Sequence, residues 1–152
     1  MKKFNPTQVS EIKISYLPKV PARLRPSITC SQNAVEILRQ SWDDGQINYV
    51  ESFKILLLNR AHKVLGISTV STGGVSGTLA DPKVIFGTAL KSLSSAIILS
   101  HNHPSSNTKP SQADINLTKK LVEGGNLLDI KVLDHIIVTE DEHFSFLDEG
   151  LI

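Results

Sequence analysis

The sequence predicts a mixed α/β chain, an α+β sandwich in which helices pack on a small sheet. Three observations predict it. Apolar residues alternate at strand spacing in some stretches and recur at helical spacing in others, in the order strand, helix, hairpin, helix, strand, helix, strands. The 152 residues, 40% hydrophobic and 20% charged, are enough to bury the core of one domain. No internal repeat or low-complexity tract interrupts the order.

Each element has its own signal. Val9 to Leu17 alternates loosely through Ile12, Ile14 and Tyr16 and reads as an edge strand in a basic arm over residues 1–26. Pro18, Pro21 and Pro26 then impose an extended loop. Ser31 reads as the cap of a helix whose apolar face is Ala34, Val35, Ile37, Leu38 and Trp42, and Asp43-Asp44-Gly45 turns the chain after it. Val50 to Asn59 and Lys63 to Val70 read as a hairpin around Asn59-Arg60-Ala61-His62. A loop rich in Ser, Thr and Gly spans residues 71–78. Asp81-Pro82 pairs a capping acid with proline at the first helical position, and Val84, Ile85, Ala89, Leu90 and Leu93 give that helix its buried face. Ser95 to Ser100 is a short apolar strand. Ser111 opens a third helix, which Gly124-Gly125 is expected to close. Leu127 to Thr139 gives one or two strands and Phe144 to Leu147 a last one.

Charge and cysteine content narrow the function. Sixteen Lys and Arg against fifteen Asp and Glu leave +1, which argues against a protein that holds nucleic acid mainly by charge. The charge is uneven: residues 1–30 carry six basic groups and one acid, leaving the rest net acidic by four. The arm therefore keeps a nucleic-acid contact as a second reading, against the plainer one of a solvated edge. The single Cys30 excludes an internal disulfide and zinc held by Cys pairs, and reads as a small buried apolar residue. The longest apolar runs, such as Ile55–Leu58 and Ala96–Leu99, are too short to span a bilayer, and the start lacks a signal-peptide stretch. A cytoplasmic protein without a membrane partner is the expectation.

The chemistry is concentrated in one segment. His101-x-His103 ends the 95–100 strand, so the two imidazoles share a side while Asn102 points the other way. Pro104 stops the strand, and Ser111-x-x-Asp114 begins the next helix after a loop long enough to fold back. Two imidazoles and a carboxylate are the ligand set of a catalytic zinc, with the fourth position left to water. Zinc lowers the pKa of such a water to roughly 7. Plainer readings exist for each half: Ser111-x-x-Asp114 is also a capping box, and a His-x-His pair can be incidental. The adjacent His-Asn-His is not the nuclease motif of that name, whose residues are dispersed, and the chain is too short for a barrel hydrolase. A hydrolytic site also needs a base. Glu51, Glu36, Glu123 and Asp134 are the candidates. Glu51 begins an inward row with Phe53, Ile55 and Leu57, Asp134 is equally unusual within its apolar strand, and the residues alone do not choose between them.

Glu51 at a strand start, His101-Asn102-His103-Pro104-Ser105, Pro110-Ser111-x-x-Asp114 and Leu133-Asp134-His135-Ile136-Ile137-Val138 together resemble the RadC-like branch of the JAB/MPN (JAMM-motif) zinc metalloproteases, over about residues 27–152. The resemblance implies a curved mixed sheet flanked by helices in a deaminase-like layout. It implies Zn²⁺ on His101, His103 and Asp114, Glu51 as general base, and a Ser111 hydroxyl that supports the oxyanion. It implies hydrolysis of peptide or isopeptide bonds in a protein substrate, in a branch that carries a DNA-repair name. Two departures stand out. Asp81 replaces the histidine that usually precedes Pro82, and only about 30 residues precede the match, where longer members carry a helix-hairpin-helix region. The rival expectations are a nucleic-acid-associated factor, of repair or of mobile elements, and a non-catalytic binding module. Asp134 is expected to be structural or to steady a ligating imidazole, His135 to be a satisfied core residue, His62 to sit in the hairpin turn, and His143 to be solvated.

Overall fold

The alternating stretches form five strands, Ser52–Leu58 (β1), Val64–Thr72 (β2), Ala96–Asn102 (β3), Lys131–Val138 (β4) and His143–Ser145 (β5). The helical spacings give Ser31–Gln40 (α1), Pro82–Lys91 (α2) and Gln112–Leu127 (α3). The structure, a computed structural model, describes residues 9–73 and 79–152. The strands make one open sheet in the order β2-β1-β3-β4-β5. The β3–β4 pair is parallel, joined through α3, and the other neighbours are antiparallel. This is the α/β class that the patterning predicts.

Strand alternation sorts the core into two halves. Leu56 and Leu58 of β1, Ala96 and Ile98 of β3, and Ile136 and Val138 of β4 pack with Ala34, Val35 and Leu38 of α1 and with Trp42. Phe53, Ile55, Leu57, Ile97, Leu99 and Val132 face the opposite way, onto Ile85, Phe86 and Ala89 of α2 and Leu121 of α3. Because β3 is covered on both faces, every one of its residues is buried, and it reads as a continuous apolar run rather than an alternating one. The parity of β3 carries to its end: His101 follows Ile97 and Leu99 toward α3, whereas Asn102 follows Ile98 toward α1.

One irregularity matters for the site. Ile97 pairs with Val132 but Ile98 pairs with Asp134, so Leu133 is an extra residue in β4. A bulge of this kind reverses which face each later side chain takes. Val132 packs on the α2 and α3 side, yet beyond the bulge it is Ile136 and Val138 that lie on the α1 side. His135 is thereby turned toward α3.

Several expectations are corrected. Residues 9–17 form no strand, and Val9, Ile12, Ile14 and Leu17 stay exposed. A strand needs a partner for its backbone groups, and alternation without one is not enough; the Tyr16 hydroxyl donates to the Leu65 carbonyl at 3.0 Å. Ser31 is inside α1; Cys30 holds the cap position without a side-chain bond and is exposed rather than buried. Trp42 lies past the end of α1, buried all the same. Gly124 and Gly125 do not close α3, which runs on to Leu127. A Cβ on Gly125 would sit 2.3 Å from the Ile130 carbonyl oxygen, so this glycine serves the close passage of the chain into β4. Residues 127–139 give one strand, which starts only at Lys131; Leu147 lies outside β5, and His143 is half-buried in β5 instead of solvated. Of the loop expected over 71–78, residues 71–72 belong to β2 and 74–78 lie outside the described residues. Asp81 caps α2 as expected, accepting from the Lys83 amide at 2.8 Å, and His62 sits in the hairpin turn with φ +55°.

Candidate metal centre

The C-terminal end of β3 and the N-terminus of α3 meet at one point. His101 is buried and His103 and Asp114 partly so. The Nε2 atoms of the two imidazoles lie 2.9 Å apart. Asp114 reaches them with Oδ1 at 3.4 Å from His101 Nε2 and Oδ2 at 3.9 Å from His103 Nε2. One ligand atom from each of the three residues lies within 4.8 Å of the others. The strand periodicity that places the imidazoles together and the loop that folds Asp114 back are therefore both present.

Each of these three side chains is held from behind. His103 Nδ1 bonds the Asn107 main-chain carbonyl, which can only accept, so this ring donates through Nδ1 and keeps Nε2 as a lone pair. Its amide donates to the Val138 carbonyl at 3.1 Å. Asp114 Oδ2 accepts from the Ser111 amide at 2.7 Å and from the Ser111 hydroxyl at 2.6 Å, while the Asp114 amide donates to Ser111 Oγ at 3.1 Å. This is a capping box with Asp in the usual Glu position. His101 stacks on Phe53 with centroids 6.0 Å apart and planes 5° from parallel.

The donor set fits a divalent cation. Burial pushes the His101 imidazole down from 6.5 to about 4; Asp114 opposes that shift and His103 adds to it. An uncharged imidazole is what a metal requires of its ligand. The carboxylate sits at a helix N-terminus, where the dipole favours negative charge. His101, His103 and Asp114 would hold the ion.

Glu51 is the residue before β1. The β1–β3 pairing begins at Phe53 and His101, so Glu51 lies two residues before the phenylalanine on which His101 stacks. Its carbonyl accepts from the Gly73 amide at 2.8 Å. The other carboxylates lie elsewhere. Glu36 is on α1, across the sheet, and Glu123 is exposed on α3. Asp134 is buried but fully engaged: Oδ1 accepts from the His135 amide at 2.7 Å and the Leu147 amide at 3.0 Å, and Oδ2 from the Ser145 hydroxyl at 2.6 Å. Burial raises its pKa, against those three bonds. It fastens the chain after β5 and touches no ligating imidazole, so only the structural half of its expected role is seen.

Three residues of this neighbourhood make contacts that sequence reading did not assign. Asn102 spends all four of its hydrogen-bonding positions: Oδ1 accepts from Trp42 Nε1 at 3.1 Å and the Ser52 amide at 2.7 Å, and Nδ2 donates to the Ile47 and Val50 carbonyls at 2.8 and 2.9 Å. Two of these partners flank Glu51. His135 is a satisfied core residue, as expected, but one of its partners is His101 Nδ1, at 2.8 Å. Thr118 gave a usable signal, since it lies four residues after Asp114 on the same helix face.

Comparison with known proteins shows the family of the chain. The family model described as RadC-like JAB domain matches residues 28–151. A UPF0758 protein of Flavobacterium johnsoniae is 41% identical over 124 residues, covering 82% of this chain and 53% of the relative. One from Porphyromonas gingivalis is 45% identical over 137 residues, covering 90% and 59%. One from Alkaliphilus oremlandii is 46% identical over 102 residues, covering 67% and 44%. The chain thus spans about half the length of the relatives it matches. Among the described residues no helix is long and apolar enough to cross a membrane.

Proposed function

The chain belongs to the RadC-like JAB domain family, and on that premise we propose that it is a zinc-dependent hydrolase of amide bonds, with a peptide or an isopeptide-linked protein as substrate. The observation that carries the reading is the convergence of His101, His103 and Asp114 within 4.8 Å, at the end of the strand whose neighbour β1 follows Glu51 directly. Zinc, when bound, supplies Lewis acidity toward water and toward a substrate carbonyl. The rest of the chemistry falls to the protein. Glu51 accepts the proton of the attacking water and hands it to the departing nitrogen, the two halves of general acid–base catalysis. Ser111 supplies a neutral donor for the oxyanion. Its one proton lies on Asp114 Oδ2, which also keeps the Ser111 amide, so the hydroxyl can swing away without freeing the carboxylate. Phe53 and the apolar row behind it screen His101 from water.

The test joins metal content to turnover. Protein prepared without chelator should carry about one zinc per chain, lost in His101→Ala and Asp114→Ala. A peptide library should show cleavage that disappears in Glu51→Gln while zinc remains. A wild-type chain that takes up no zinc when it is offered would end the reading. Zinc uptake without hydrolysis, unaltered by Glu51→Gln, would leave a binding module.

A further inference from the structure

His135 takes no part in the chemistry above, yet it is fully buried against the site. Its ring is wedged between Phe53, edge-on at 5.6 Å, and Phe146, stacked at 4.7 Å. Its Nε2 is 2.8 Å from His101 Nδ1 and its Nδ1 is 2.6 Å from Thr118 Oγ1. Thr118 Oγ1 is in turn 2.6 Å from the Asp114 carbonyl oxygen. The chain of contacts starts on one ligand residue and ends on another.

The last member fixes every proton in it. A carbonyl oxygen only accepts, and two oxygens 2.6 Å apart need a proton between them, so the Thr118 hydroxyl donates to Asp114. Thr118 has no second proton, so the equally close His135 Nδ1 must be the donor to its oxygen. A ring sealed in an apolar pocket holds a single proton, which leaves His135 Nε2 a bare acceptor. His101 Nδ1 then donates to it, and His101 Nε2 is left with its lone pair, pointing at His103 and Asp114.

We propose that Thr118 and His135 are positioning residues that lock His101 in the Nδ1-protonated tautomer and so present its Nε2 to a divalent cation, with the Asp114 main chain as the anchor of the relay. The proposal rests on the zinc reading for its purpose but not for its geometry. Partners on the far nitrogen of a ligating histidine commonly set both tautomer and ring orientation. Here the partner is a second imidazole, which could itself face either way, and the threonine settles which.

Two measurements test it. Long-range ¹H–¹⁵N spectra of histidine-labelled, chelator-treated wild-type protein should show His101 and His135 both protonated at Nδ1. Competition with a chromophoric zinc chelator at neutral pH should show Thr118→Val weaker by about 10- to 100-fold, with Thr118→Ser restoring both affinity and tautomer. His101 protonated at Nε2 in the wild-type spectra would overturn the proposal, as would unchanged zinc affinity in folded Thr118→Val. If the wild-type chain binds no zinc, the hydrolase reading fails by itself, and the ring spectra still decide the relay.

Discussion

Ser111 and Asp114 hold each other by three hydrogen bonds: the serine oxygen receives the aspartate amide at 3.1 Å while the serine hydroxyl and amide both grip Asp114 Oδ2. In the sequence a helix cap and a metal ligand are rival explanations of these two residues. In the structure they are one arrangement. The cap fixes Oδ2 and thereby turns Oδ1 toward His101.

Removing the serine hydroxyl should therefore have two separable effects. Ser111→Ala should cost about 1 kcal/mol of stability as a lost helix cap, read from urea unfolding of the metal-free protein. It should also weaken zinc binding, because Asp114 keeps only the amide of its two restraints. Ser111→Thr keeps an oxygen and a proton in place and should restore both. Unchanged zinc affinity in Ser111→Ala would separate the cap from the ligand.

Much of this was legible in the sequence because it rests on short-range rules. Two-residue periodicity put His101 and His103 together and sent Asn102 the other way, and Asp81-Pro82 announced α2. What was not legible depends on partners far along the chain. Residues 9–17 have an adequate strand pattern but pair with no strand among the described residues. Gly124-Gly125 has the look of a helix stop, but the reason for Gly125 is a carbonyl five residues later. His135 was hidden by the bulge at Leu133: strict alternation from Val132 would have sent His135 to the α1 side, away from His101. Nothing in the spelling of β4 announces that extra residue.

Asn102 is the sharpest case for stability. Substitution by alanine would leave the Ser52 amide, the Trp42 indole N–H and two carbonyls short of a partner in a fully buried site. Orphaned buried groups of this kind cost about 1–3 kcal/mol each when unrelieved. Asn102→Ala should lose at least about 2 kcal/mol in urea unfolding. Because Val50 and Ser52 flank Glu51, the same change should lower kcat while zinc stoichiometry stays the same. Loss of zinc together with activity would show that Asn102 supports the ligands rather than the base.

Two helical glycines should respond oppositely to alanine. At Gly125 the new Cβ would lie 2.3 Å from a backbone oxygen that cannot move without displacing the start of β4, so Gly125→Ala should destabilise by about 1–3 kcal/mol. At Gly87, exposed in α2, nothing lies within 4 Å of the added carbon. There the gain in helix propensity should stabilise by about 0.5–1 kcal/mol. Thermal unfolding of the two variants beside the wild type checks the pair, and a stable Gly125→Ala would mean that the α3–β4 connection has slack.

The metal-free protein should lose stability in mild acid, and the sign follows from the histidines. Burial pushes His101 down to about 4, and His135, fully buried with two other imidazoles nearby, lies well below its ordinary value. Between the ordinary 6.5 and about 4, the unfolded chain takes up protons that the folded chain refuses. Stability is therefore complete above about 6.5 and falls with pH through that window, by about 3 kcal/mol for His101 alone. Asp134 acts in the opposite sense, since its raised pKa favours the folded state as acidity grows. That effect sets in as pH falls through the raised folded value and is complete at the ordinary 3.8, so it offsets part of the loss that the two histidines cause. The urea midpoint of chelator-treated protein should thus be flat from pH 8 to 7 and decline steadily below 6.5. Adding zinc should raise the midpoint at pH 7 by mass action and progressively less toward acid, as protons compete for the same nitrogens. A flat midpoint for the metal-free protein between pH 6.5 and 4.5 would mean that these two rings are not held neutral by burial, and the account of the ligand pocket would fall with it.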